Sequence, residues 1–349
     1  MQEEGRGEQL SGEGKRKTKF KDYLEEAARK IEELDVEAFF RSQQEEQEKF
    51  IQNYVQHRRL DARNWFPFIR IEGEVVNFSR MHFGNGGTAN YSLIKKALYE
   101  GGFRPLISDN AIAGMFRIPL QAMSREIWGD DEDIRDCGCF SEKGHRFQCL
   151  KCLGCGLAGG LKLETGENAV HKVSAVTGVS LDGEIITEYR NALEPRTGTV
   201  PKWELLAPTT KEGKNDKDRS NKLPVFWQAE YVAPGAHFPI SITFRDVAAA
   251  EFGLALSAFD ISWKNIGLGA HKNGRLHGWN ENPERFTLYA WMGSWLEPPE
   301  VYSRDDLKYL INQAKKAAFL AREKKLLVKY VLDVSALGGV KAESARKKP

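Results

Sequence analysis

All five cysteines of the chain fall between Cys137 and Cys155, spaced Cys137-x-Cys139-x9-Cys149-x2-Cys152-x2-Cys155, with His145 inside the span. Thiolate and imidazole are the ligands that a borderline-soft cation such as zinc takes in a tetrahedral shell. Two cysteines separated by two residues supply a pair of them from one turn. Gly154 and Gly156 offer the positive φ angles that such a turn uses. The second pair must return from elsewhere, and Cys137 or Cys139 with His145 or Cys149 can provide it. Six candidates thus compete for four places, and the favoured set is Cys139, Cys149, Cys152 and Cys155. A shell closed by four protein ligands keeps no position open for water, so the expected zinc is structural. The alternative is a group of buried free thiols. Disulfides are disfavoured, because the count is odd and the chain opens on Met-Gln-Glu-Glu without a basic-then-apolar export signal.

Two glycine-rich stretches are the other candidates for chemistry. The first, 84–88, reads Gly-Asn-Gly-Gly-Thr and is expected to be a loop after a strand. The second, 267–278, reads Gly-Leu-Gly-Ala-His-Lys-Asn-Gly-Arg-Leu-His-Gly. There Gly267, Gly269, Gly274 and Gly278 expose backbone amides beside Lys272 and Arg275, a combination that suits a phosphodiester backbone. Neither stretch has the Gly-Lys-Ser/Thr ending of a P-loop or a G-x-G-x-x-G opening a helix. Tight connections between strands would account for the glycines equally well.

The elements that must position these groups follow from composition and periodicity. With 349 residues, 41% apolar and 29% charged, the chain reads as about two globular domains, or one large elaborated one. Lys plus Arg number 51 against 49 Asp plus Glu, a net charge of +2. Nucleic-acid binding must therefore come from local clusters of cations. The longest apolar stretch, 247–259, is short and interrupted by charge, so no membrane span is expected and the expected location is cytoplasmic. Residues 1–17 have almost nothing to bury and read as a disordered tail. From Lys19 the stripe Phe20, Tyr23, Leu24, Ala27, Ala28, Ile31 and Leu34 predicts a helix, and 36–59 a second, within a helical extension over 18–64. Residues 66–78 read as a strand and 91–100 as a short helix or irregular segment. Residues 110–128 read as a helix capped by Ser108 or Asp109 and kinked or split at Pro119. Beyond the cysteines, 170–188 predicts a strand and hairpin turning at Asp182-Gly183. The stretches 188–206 and 224–244 read as arms of one long hairpin around a polar, mobile tip at 207–223. Helices are predicted over 247–259 and 303–330, the second with Ser303 and Asp306 at capping-box spacing.

Read in order, these pieces resemble the RAMP superfamily of CRISPR-associated proteins, specifically the guide-RNA-binding backbone subunits of class 1 effectors. The run 71–84 (IEGEVVNFSRMHFG) resembles the first strand and its glycine-terminated loop. Cys152-Leu153-Gly154-Cys155-Gly156-Leu157-Ala158-Gly159 is similar to the zinc-knuckle segment of type III subunits. The runs 190–200 (RNALEPRTGTV) and 228–238 (QAEYVAPGAHF) resemble the two arms of a thumb hairpin, and 267–278 the C-terminal glycine-rich loop. The match covers about 68–290, and the extended termini and length point to type IV, with type III as neighbour. The resemblance implies an α+β fold with an RRM-like (ferredoxin-like) palm over 65–300. It adds a zinc-bearing finger lobe at about 129–165, a β-hairpin thumb at about 188–240, and a C-terminal helix and tail over 301–349. Copies would stack along the guide RNA, each thumb kinking the strand. The implied RNA contacts are Asn110, Gly114 and Arg117 on the helix, and Gly267, Gly269, His271, Lys272, Asn273 and Arg275 in the loop. Arg196, Trp203, Phe226 and Trp227 fall on the thumb, where aromatics can stack on bases for about 1–3 kcal/mol each. Packing within the hairpin is the alternative for each aromatic.

Departures from the family pattern bear on mechanism. Type III subunits cleave target RNA with an aspartate in a D-N-P-V-I-like segment, and here Asn90 stands at that place. An amide cannot take a proton or hold a cation as a carboxylate does, so cleavage is expected to be absent. The helix motif, usually P-G-S-S-L-K-G-x-L-R, is here Ser108-Asp109-Asn110-Ala111-Ile112-Ala113-Gly114-Met115-Phe116-Arg117, with Ala113 at the usual lysine. The expected function is a non-catalytic scaffold that oligomerises on a CRISPR guide RNA. With other effector subunits it would present the guide to target DNA or RNA in an antiviral or anti-plasmid ribonucleoprotein. The alternatives are an RNA endonuclease processing guide precursors with His82, His271 or His277 as general acid or base, or a zinc-stabilised interaction module.

Overall fold

The structure, a computed structural model, describes residues 19–56, 67–88, 91–138, 147–161, 168–169, 171–191, 226–267, 274–293 and 296–330. The fold is mixed α+β. Its frame is an antiparallel sheet of β1 (Phe68–Asn77), β2 (Val173–Thr177), β3 (His237–Phe244), β4 (Phe286–Trp291) and β5 (Glu300–Ser303). The spatial order is β5-β4-β1-β3-β2, and Leu276–His277 pairs with the end of β1. Strict alternation gives this sheet one apolar face. Ile69, Ile71 and Val75 of β1 and Phe238, Ile240, Ile242 and Phe244 of β3 are buried, while Arg70 and Pro239 between them are exposed.

Four long helices, α1 (Lys19–Glu33), α2 (Asp109–Trp128), α3 (Ala249–Ile261) and α4 (Arg304–Glu323), build the core on that face. In chain order the centre reads β1-α2-β2-β3-α3-β4, so β1 and β2 flank β3, while β3 and β4 flank β1. The rings of Phe116 on α2 and Phe259 on α3 stack 4.6 Å apart. Helix α3 is largely apolar around its circumference because it is enclosed by α4, α2 and α1, with Phe252 set against Phe244 of the sheet. The predicted stripe of α1 is its buried face, and Phe20 packs against Phe252 and Tyr302 at 6.0 and 6.2 Å between ring centroids. The N-terminal extension is thus part of the core.

Several elements differ from expectation. The helix predicted over 36–59 is broken into Val36–Arg41 and Gln44–Phe50, followed by a π-helical turn, Ile51–Val55. Side chains close the break. Ser42 Oγ donates to Phe39 O at 2.7 Å, and Gln47 Nε2 donates to Phe39 O and Ser42 O at 2.9 and 3.0 Å. Residues 84–88 form a strand, Gly84–Thr88, paired with Tyr91–Ile94, so a ladder takes up backbone that a phosphate-binding loop would leave free. Within 91–100, Tyr91–Ile94 and Lys96–Tyr99 are strands, the second pairing with Gly102–Pro105 through a turn at Glu100 and Gly101, at φ 49° and 78°. Helix α2 runs unsplit through Pro119, capped by Ser108 Oγ accepting from the Ala111 N–H.

Asp182-Gly183 closes no local hairpin. It joins β2 to Ile185–Asn191, which pairs antiparallel with Phe226–Val232 in a second sheet. The return arm therefore ends at Val232, and His237–Phe244 belongs to the main sheet. Helix α4 stops at Glu323, where Lys325 at φ 56° turns the chain and Leu326 and Leu327 bury beyond it. Ser303 stands at its N-cap without a side-chain cap bond.

Candidate functional site

Cys137, after the short helix Glu132–Asp136, meets Cys149, Cys152 and Cys155 around the start of the helix Leu153–Ala158. The four buried sulfurs lie within 4.8 Å of one another, and Cys137 Sγ is 3.5 Å from both Cys152 Sγ and Cys155 Sγ. Zinc–sulfur bonds of about 2.3 Å in a tetrahedron set sulfurs roughly 3.8 Å apart, so this quartet has the spacing of a thiolate shell. Backbone N–H groups point at the sulfurs as they would at thiolates. Lys151 and Cys152 donate to Cys149 at 3.4 and 3.3 Å, Cys155 to Cys152 at 3.3 Å, and Cys149 to Cys137 at 3.5 Å. Hydrogen bonds from Cys149, Cys152 and Cys155 hold the Cys137 thiol well below its ordinary pKa, while the same sharing pushes Cys152 and Cys155 up. Four thiolates are compatible here only with a cation among them. The expected set placed Cys139 in the fourth position. Cys139 and His145 lie outside the described residues, and the fourth sulfur of the described quartet belongs to Cys137.

The glycines of this lobe act differently from expectation. Between Cys149 and Cys152 the positive φ falls on Leu150, at 59°. Gly154 and Gly156 instead permit close approach. A Cβ on Gly154 would stand 2.8 Å from the Gln121 side chain on α2, and one on Gly156 2.3 Å from the Tyr330 ring.

Tyr330 ends an extended strap, 324–330, that ties the lobe to the rest of the core. Lys324 Nζ donates to Glu32 O and Leu34 O at 2.6 and 2.8 Å, and the Val328 N–H to Gln56 Oε1 at 3.0 Å. Lys329 Nζ lies 2.9 Å from Asp131, and this ammonium holds the Asp131 carboxyl below its ordinary pKa. The Tyr330 N–H donates to Lys151 O at 2.9 Å. Its hydroxyl donates to Glu251, whose fully buried carboxylate also pairs with Lys172 Nζ at 3.0 Å and accepts from the Ala248 N–H at 2.9 Å. Sequence reasoning missed this junction, although a lone glutamate inside the apolar run 247–259 was a signal for it.

A cleft of about 300 Å³ opens between the first half of α2, the start of β2 and Ala158 of the lobe. Asn110 and Arg117 both line it. Arg117 is already engaged: its guanidinium donates to Ala158 O, Gly159 O and Gln148 Oε1 at 3.0, 2.8 and 3.3 Å, fastening α2 to the lobe. Gly114 lies on the same helix, where a Cβ would meet nothing within 4 Å. Gly267 ends the turn after α3 at φ 74°. The Arg275 N–H donates to Ser79 Oγ at 2.8 Å just beyond the end of β1. Ser262 Oγ bonds to Met115 O at 2.8 Å, which brings the end of α3 to the first half of α2. Gly269, His271, Lys272 and Asn273 lie outside the described residues, as do Arg196 and Trp203. Phe226 and Trp227 begin the strand Phe226–Val232, opposite Asn191 and Arg190. His82 is buried, with Nδ1 2.8 Å from Glu230 O and Nε2 3.0 Å from Ser92 Oγ.

No family model and no curated protein matches the chain.

Proposed function

We propose that the chain is a guide-RNA-binding backbone subunit of a class 1 CRISPR effector, of the RAMP superfamily and nearest to its type IV members, with type III as neighbour. The observation that carries this reading is the order in which parts are inserted into the sheet. A β1-α2-β2-β3-α3-β4 core in the spatial order β4-β1-β3-β2 supports reading it as a ferredoxin-like, RRM-like palm. A four-cysteine lobe stands between α2 and β2, where this reading expects the finger, and the arms Ile185–Asn191 and Phe226–Val232 stand between β2 and β3, where it expects the thumb. In this reading zinc closes the lobe structurally, and copies of the chain stack along the guide. Target DNA or RNA is selected by pairing with the guide and not by the protein. The subunit is non-catalytic: Asn90 replaces the cleaving carboxylate, and both ring nitrogens of His82 are engaged within the fold, which speaks against its use as a general acid in guide processing. Among the described residues no helix is long and apolar enough to cross a membrane.

The test is to express the protein with its neighbouring genes and a CRISPR array, purify it, and sequence the RNA that stays bound. The expected result is a ladder of multimers on one spacer-plus-repeat RNA, with log affinity falling against log salt by about 0.7 per phosphate contact. RNA-free monomer, or mixed cellular RNA lost at moderate salt, overturns the reading.

A further inference from the structure

We propose that the cleft between α2, β2 and the cysteine lobe holds one unstacked base of the bound strand, an inference that rests on the RNA-binding reading above. At about 300 Å³ the cleft is at the small end of ligand sites, roughly 300–1,000 Å³, with room for a single planar heterocycle. Its floor is apolar, made by Val173 and by Phe116 and Phe259, whose rings stack at 4.6 Å. Asp109, Asn110, His171 and Ser174 stand around it. Among the described residues none of these four side chains has a hydrogen-bond or ion-pair partner. A carboxylate, an amide, an imidazole and a hydroxyl together offer both donors and acceptors, which is what the edge of a base presents in return.

The same groups argue against a phosphate in this place. Asp109 would repel it, and the Arg117 guanidinium, the cation lining the cleft, already donates to Ala158 O, Gly159 O and Gln148 Oε1. A neutral ring with polar edges meets neither obstacle. Ala113, exposed one helical turn after Asn110, also lines the cleft, and its small side chain leaves space there.

Saturation-transfer NMR on the full chain, freed of RNA at high salt, tests this with uridine, adenosine and ribose 5-phosphate as separate probes at millimolar concentration. Base protons should saturate more strongly than ribose protons, and ribose 5-phosphate should give no signal. Ala113→Trp, at an exposed helical position that leaves the core untouched, should abolish the nucleoside signal. His171→Ala should weaken binding by roughly 2–10-fold, the worth of one hydrogen bond. Nucleoside signals that survive Ala113→Trp, or ribose 5-phosphate binding as well as the nucleosides, overturn the assignment. Guide RNA that co-purifies while nucleosides give no signal removes the cleft inference and leaves the backbone reading. Nucleoside binding blocked by Ala113→Trp, without retained guide RNA, does the reverse.

Discussion

Asp246 and Glu251 bring two carboxylates to the start of α3, in a part of the molecule with little water. Glu251 is stabilised as an anion by Lys172 and by the Ala248 N–H, as a buried charge must be. Asp246 has a different fate. Burial raises its pKa to about 6, with Lys172 opposing the shift and Glu251 adding to it. The unfolded value is about 3.9, so the folded protein binds more protons between these limits. Stability contributed by the protonated form is therefore present below about pH 4 and lost as pH rises through about 6. Asp246→Asn keeps the side-chain shape, tolerates the φ of 52°, and cannot ionise. Its Tm should match the wild type near pH 4 and exceed it increasingly toward pH 7. A Tm difference that stays constant across that range would show that Asp246 does not titrate in this way. Of these residues the sequence made Glu251 visible as an oddity. It could not pair it with Lys172 or Tyr330, which lie far away along the chain.

The cysteine lobe and the strap behave as one element with two attachments. Among the described residues of the lobe, Ile134 and the four cysteines form a buried cluster of their own, with Trp128 and Phe147 partly covering them, while Leu153 and Leu157 are buried in the main core. That cluster has little apolar surface of its own, so in the zinc-bound reading the metal would carry much of the lobe's stability; zinc is worth about 10–16 kcal/mol in isolated zinc-finger peptides. The strap rests on this lobe through Tyr330, by its N–H to Lys151 O and its ring against Gly156. Stripping the metal with a chelator should therefore raise amide exchange at 147–158 and 328–330 together, while the centres of α1 and α4 stay protected. Tyr330→Ala should speed metal loss to a chromogenic chelator, because it removes the side chain packed over the knuckle. A strap that stays protected after the metal is gone would uncouple the two. The cysteine spacing made the thiol cluster legible in advance, since ligand spacing is local. The glycine strand Gly84–Thr88 was not legible, because glycines carry no side-chain alternation and one flank of its sheet, Phe226–Val232, is remote in sequence.

At the scale of the whole molecule, the N-terminal extension is not an appendage. Phe20, Leu24, Ala27 and Ile31 are fully buried, and α1 lies along α4 with the first turn held by Glu300 accepting from the Lys19 and Phe20 N–H groups. Deleting residues 1–56 should therefore abolish cooperative thermal unfolding of the whole protein. A truncated chain that still melts cooperatively would mean that the extension serves assembly instead. Periodicity and composition already determined the elements that need only their own residues: the stripe of α1, the capped helix α2, the strand β1 and the crowded thiols. They also placed the start of α4 near Ser303. Tertiary structure alone decided where helices broke at Ser42 and Glu323, and which sheet received 237–244. It also decided that Cys137 joins the described quartet, that Arg117 is spent on the lobe, and that Asp109, Asn110, His171 and Ser174 share one cleft. The physical reason is range: helical and strand periods and ligand spacing act over a few residues, whereas pairing partners, buried counter-charges and cavities are set by segments that meet only when the chain is folded.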